Sequence, residues 1–108
     1  MSKDHKKIED SSGADASALR FTFLTNHSHV LICLARDPNA IIRDVATKVG
    51  ITERAVLAIV HDLVLAGVLT KNKVGRRNQY SVNRSVLLRH PVERPKTVGD
   101  LLRAVSDN

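Results

Sequence analysis

Aromatic side chains are nearly missing from this sequence: it has no Trp, one Tyr and two Phe in 108 residues. Any core must therefore be built from Leu, Ile, Val and Ala. The stacking platforms that single-stranded RNA readers need are lacking as well. Cysteine is equally scarce. Cys33 stands alone, so no intrachain disulfide can form and no secreted framework is indicated. Long apolar runs are absent too. The opening Met1-Ser2-Lys3-Asp4-His5-Lys6-Lys7 leads into no apolar stretch, and no run approaches a membrane span. The expectation is no signal peptide, no membrane partner and a cytoplasmic location. No glycine-rich phosphate loop, paired-carboxylate pattern or nucleophile motif is visible. The chain therefore reads as a single domain that is not an enzyme and takes no cofactor.

What the chain does have is charge in one place. The net charge is +6. Residues 67–96 hold eight basic side chains (Lys71, Lys73, Arg76, Arg77, Arg84, Arg89, Arg94, Lys96) against one acid, Glu93. Elsewhere the signs balance to within one charge. Focused positive charge suits a polyphosphate backbone, because each neutralised phosphate releases counterions. The competing reading is an ordinary solvated basic surface, and charge alone does not separate the two.

Local patterns predict the elements. Residues 1–18 are rich in Ser, Asp and Lys, and read as a flexible arm. A first helix starts after Thr25 or Asn26, carries His29, Val30, Ile32, Cys33 and Leu34, and ends at the turn Asp37-Pro38-Asn39. A second runs from Ile42 to Val49 with Ile42, Val45, Ala46 and Val49 at helical spacing, and Gly50 stops it. Thr52 caps a third helix that extends to Ala66, with Val56, Ile59, Val60 and Leu63 as its core stripe. Residues 68–74 read as a strand, Gly75-Arg76-Arg77-Asn78 as a turn and Gln79–Val82 as the return strand. Residues 83–96, with Pro91 and Pro95, read as an irregular connection. Thr97 opens a last helix with Val98, Leu101, Leu102 and Val105 on one stripe.

Residues 44–63 meet the demands of a helix-turn-helix. Ala46 is small where two helices cross, Gly50 makes a tight turn, and Val45, Val49, Ile51, Val56 and Ile59 surround it with apolar contacts. Here the chain resembles the winged helix-turn-helix regulators of the broad MarR-like and ArsR-like group. The resemblance lies in Arg43–Val56, in Asp62–Leu69, where a recognition helix passes into a first wing strand, and in Gly75–Tyr80 as a wing tip. It covers about residues 21–90. It implies a mainly α fold with a small β-hairpin, in the order helix, helix, turn, helix, hairpin, helix. The implied domain spans residues 19–90, followed by a linker and C-terminal helix over 91–108.

The resemblance further implies a homodimeric transcription regulator that binds double-stranded DNA. The third helix would enter the major groove, presenting Thr52, Glu53, Arg54, Leu57, Ala58 and His61. Thr52 at the helix start suits phosphate. Arg54 suits a guanine edge, because its fork can bond O6 and N7 together. Leu57 and Ala58 depart from the polar residues common there, and either face the groove or pack against a neighbour. Lys71, Lys73, Arg76, Arg77 and Asn78 would carry the wing onto the backbone or into the minor groove. Tyr80 reads as packing rather than base stacking. Val98, Leu101, Leu102 and Val105 would dimerise, or else cover the chain's own first helix.

His29 and Cys33 stand at i, i+4, with His27 nearby, but the paired-cysteine motif of metal-sensing relatives is lacking, so no metal is expected. Nothing basic adjoins Cys33 in sequence to activate a thiolate. No pattern identifies a small-molecule effector. The alternative function is a winged-helix protein-interaction module without specific DNA readout, motivated by Leu57 and Ala58.

Overall fold

Thr25 starts the first helix: its hydroxyl accepts the Ser28 N–H at 3.2 Å. Helix α1 then runs Asn26–Arg36. The structure, a computed structural model, describes residues 20–106. The expected arm over residues 1–18 lies outside the described residues. Helix α2, Ile42–Val49, ends at Gly50 with φ of 87°, a left-handed conformation that costs glycine nothing. Thr52 caps α3, Glu53–Leu65, by accepting the Ala55 N–H at 3.0 Å. Two strands follow, β1 (Leu69–Val74) and β2 (Arg77–Val82), then a 3₁₀ turn at Pro91–Glu93 and helix α4 (Val98–Ala104). The architecture is mixed α/β, with four α-helices and one two-stranded antiparallel hairpin in an order compatible with a winged-helix layout.

The core is aliphatic, as the shortage of aromatics requires. Val30 and Leu34 from α1, Val45 from α2 and Val56 from α3 are essentially inaccessible. Ala46, Val49, Ile59, Val60 and Leu63 complete the helical layer. Tyr80 is the one aromatic inside, at 3% exposure, and burial pushes its phenol pKa up. Its backbone N–H donates to Pro38 O at 2.9 Å. This bond ties β2 to the turn between α1 and α2, and Gln79 Nε2 adds a bond to Asn39 Oδ1 at 3.2 Å.

The hairpin differs from the sequence reading at its tip. Val74 pairs with Arg77 and Lys73 with Asn78, so the connection is only Gly75-Arg76. Gly75 has φ of 64° and Arg76 does not have a positive φ. Glycine at the first central position of a two-residue turn matches the twist of the flanking strands. Arg77 and Asn78 are thereby drawn into β2.

The connection over residues 83–96 is more ordered than expected. Val98 N–H donates to Val86 O at 2.8 Å, Leu88 N–H to Lys96 O at 2.9 Å, and Leu87 bridges Thr97. These bonds dock α4 on the body. Its capping box is complete: Thr97 N–H donates to Asp100 Oδ2 at 2.9 Å, and Asp100 N–H donates to the Thr97 hydroxyl at 3.1 Å. The Thr97 backbone and hydroxyl bonds, helped by Arg103, hold the Asp100 carboxyl below its ordinary pKa. Val98 and Leu102 are buried in the chain's own core. Of the stripe Val98, Leu101, Leu102 and Val105, two members therefore pack inside one copy, and Leu101 and Val105 are half-buried at the edges.

Gly99 shows how close that docking is. A Cβ there would lie 3.0 Å from Arg84 Cβ and 3.1 Å from Arg84 O. Alanine gains about 1 kcal/mol in helix propensity, whereas overpacking costs typically 1–3 kcal/mol. Gly99→Ala is expected to lower stability on balance in urea unfolding. A higher midpoint would show that the segment at Arg84 yields freely.

Candidate nucleic-acid interface

The inward stripe of α3 fixes its outward face. Because Val56, Ile59, Val60 and Leu63 are buried, Thr52, Glu53, Arg54, Leu57, Ala58 and His61 are all exposed. Leu57 is 54% exposed, which settles the choice between packing and exposure. The apolar character continues along the helix: Leu65 is 73% exposed and Val64 partly so. Arg54 is the one cation on this face. Asp62, near the far end, accepts or shares a hydrogen bond with His27 Nε2 at 2.8 Å, which links α1 to α3.

The hairpin supplies the other cations. Lys71, Lys73, Arg76 and Arg77 are exposed, and Asn78 is half-buried. Facing partners across a hairpin project to the same side, and successive residues alternate. Lys71 faces Tyr80 and Lys73 faces Asn78, so both lysines lie on the side that Leu69 and Tyr80 bury further down. Arg77 faces Val74 on the opposite side. Arg76 occupies the turn itself. The hairpin is thus basic on both faces and at its tip. No acidic residue occurs from position 63 to 92, so nothing local neutralises it.

A hollow of about 200 Å³ separates the hairpin tip from the start of α2, lined by Asn39, Ile41, Ile42, Arg76, Arg77 and Asn78. Ile41 occupies the N-cap of α2 and makes no side-chain cap bond. The first-turn amides of a helix lack intrahelical acceptors, so α2 opens toward the arginines without a capping side chain. Sequence reading did not find this juxtaposition, because it arises only when the Tyr80–Pro38 bond folds the hairpin back onto the α1–α2 turn.

The histidines and the cysteine do not assemble. His27 pairs with Asp62, and His29 Nδ1 lies 3.2 Å from Asn26 Oδ1. Among the described residues no group of three His, Cys, Asp or Glu side chains could hold a metal ion. Two cations do come near Cys33, although none adjoins it in sequence. Burial raises the thiol pKa and outweighs the opposing pull of Lys48 and Arg36. The thiolate is the reactive form, so at neutral pH Cys33 in the folded chain is expected to react with iodoacetamide more slowly than in the urea-unfolded chain. Faster reaction in the folded state would reverse this assignment.

No protein-family model matches the chain, and no curated protein matches it in sequence.

Proposed function

We propose that the chain is a winged-helix domain that binds double-stranded DNA and serves as a transcription regulator. The observation that carries this reading is the hairpin, with Lys71, Lys73, Arg76 and Arg77 exposed over two faces and a tip, its first strand in contact with α3. In this reading α3 enters the major groove and the hairpin follows the backbone or the minor groove. Arg54 reads a guanine edge, and Thr52 with the start of α3 meets a phosphate. Phosphate attraction supplies most of the affinity and base readout is modest, because Leu57 and Ala58 can offer only contact to a thymine methyl. Two copies related by a two-fold axis would place their α3 helices about one DNA turn apart. In that dimer α4 contributes Leu101, beside the exposed Leu87, rather than the internal Val98 and Leu102.

Five exposed cations on α3 and the hairpin set the expected salt dependence. At about 0.9 counterions per phosphate, five contacts predict roughly a few hundredfold loss of affinity between 50 and 200 mM salt. Titration of mixed-sequence duplex DNA at the two salt concentrations measures this. No binding at low salt, or binding indifferent to salt, excludes the reading. Arg76→Ala with Arg77→Ala should weaken binding to all sequences alike and make the salt slope shallower by about two.

A second reading, a protein-interaction module, is favoured by one observation: the exposed apolar strip of Leu57, Val64 and Leu65 on α3. Leu57→Glu separates the two. If α3 lies in the groove, a carboxylate there meets phosphates and affinity for duplex DNA drops by about tenfold or more, as expected for opposed like charges. Unchanged DNA affinity would assign the strip to a protein.

A further inference from the structure

The outer face of α1 has no role in the reading above. His29, Ile32, Cys33 and Arg36 stand on it at i, i+3, i+4 and i+7. A groove of about 430 Å³ runs between this face, Thr22 and the last turn of α2 at Lys48 and Val49. A second of about 310 Å³ runs on between α1, Arg84 and the end of α4 at Leu102 and Val105. Ile32 and Arg36 line both, so the two hollows lie side by side along α1 and are taken together as one channel in two parts. The first part is mainly apolar, whereas the second exposes more polar than apolar surface. The channel's rims carry Arg36, Lys48 and Arg84, and among the described residues no Asp or Glu lines either part. Arg36 donates one bond to Val105 O at 2.8 Å, and a guanidinium has further donors to offer. Neither Lys48 nor Arg84 is paired with an acidic side chain.

An aromatic pair adjoins one lining residue of this channel in sequence. Phe21 and Phe23 flank the lining residue Thr22, are 70% and 93% exposed, and pack edge to face with ring centroids 5.5 Å apart. They are two of only three aromatic residues in the chain. Exposed aromatics next to an apolar groove are characteristic of interfaces, where aromatic anchors dominate affinity.

We propose that this channel docks an acidic amphipathic segment of another protein. The apolar face of such a segment covers Ile32, Val49 and Val105, and its carboxylates meet Arg36, Lys48 and Arg84. Phe21 and Phe23 then close over one end. The charge pattern argues against two other occupants. A phosphodiester backbone would leave the apolar surface of the first part unused. A second copy seated by a two-fold axis would oppose cation to cation. No residue of α3 or of β1 and β2 lines the channel, so an acidic partner and duplex DNA can be held together.

Fluorescence anisotropy of a labelled helical peptide tests this, with Leu at i, i+3, i+4 and i+7 and Glu at the remaining positions. The chain should bind it, and should bind the same peptide with Lys in place of Glu at least about tenfold more weakly. Lys48→Glu and Arg84→Glu, both at exposed positions, should each lower affinity by about tenfold. Phe23→Ser should also weaken it. The Arg76→Ala, Arg77→Ala variant should bind the peptide as the unaltered chain does, and saturating duplex DNA should not displace the peptide. Thermal melts of the variants confirm that they are folded. The proposal is overturned by absence of binding or by equal affinity for the Glu and Lys peptides. Wild-type affinity in both Glu variants overturns it too. Displacement by DNA would reassign the channel to phosphate.

Discussion

Everything in this molecule depends on how α3 is clamped. Val56, Ile59, Val60 and Leu63 lie between α1, α2 and β1, and no large aromatic shares that duty apart from Tyr80. Burying an aliphatic side chain fully is worth about 1.5–3 kcal/mol, against a net stability of about 5–15 kcal/mol for an ordinary domain. Each contact of α3 is therefore a large share of the whole. The same clamp determines the outside. A helix with four residues fixed inward has no rotational freedom left, so Arg54, Leu57 and His61 are held outward by the packing of their neighbours.

The hairpin inherits its position from the same packing. Val68 and Leu69, at its root, belong to the core that holds α3. Tyr80 anchors the return strand twice, by its buried ring and by its backbone bond to Pro38. A two-stranded hairpin is marginal by itself in water. Here both strands are pinned near the body and the charged end projects. Stability and charge are divided along its length, with apolar residues near the root and cations toward the turn.

Much of this was legible in the sequence. Thr25, Thr52 and Thr97 cap the helices that their positions predicted, Gly50 takes a left-handed conformation, and the stripes of α2 and α3 are buried as spaced except for the half-buried Ile42. These are local signals, and local physics decides them. What was misread or left open has a different cause. Arg77 looked like a turn residue because the turn type depends on the φ of one glycine. Residues 83–96 are an irregular connection as read, but their backbone bonds to residues 96–99 were not legible, because those partners lie across a loop and show no alternation. Val98 and Leu102 stayed open between a dimer surface and the chain's own core, because periodicity reveals an apolar stripe without revealing what covers it. Lys48 approaches Cys33 only through the packing of α2 on α1. For the candidate site, the residue types were readable and their arrangement on faces was not.

The division of cations across the hairpin has a geometric consequence. A ribbon charged on one side would rest flat against a single anionic surface, leaving its other side indifferent. This one carries Lys71 and Lys73 on one side, Arg77 on the other and Arg76 at its leading edge. It is shaped as a blade with cations on both flats and at its edge. Such a blade is drawn most strongly into a slot with negative walls on both sides, where entering edgewise satisfies all four charges at once.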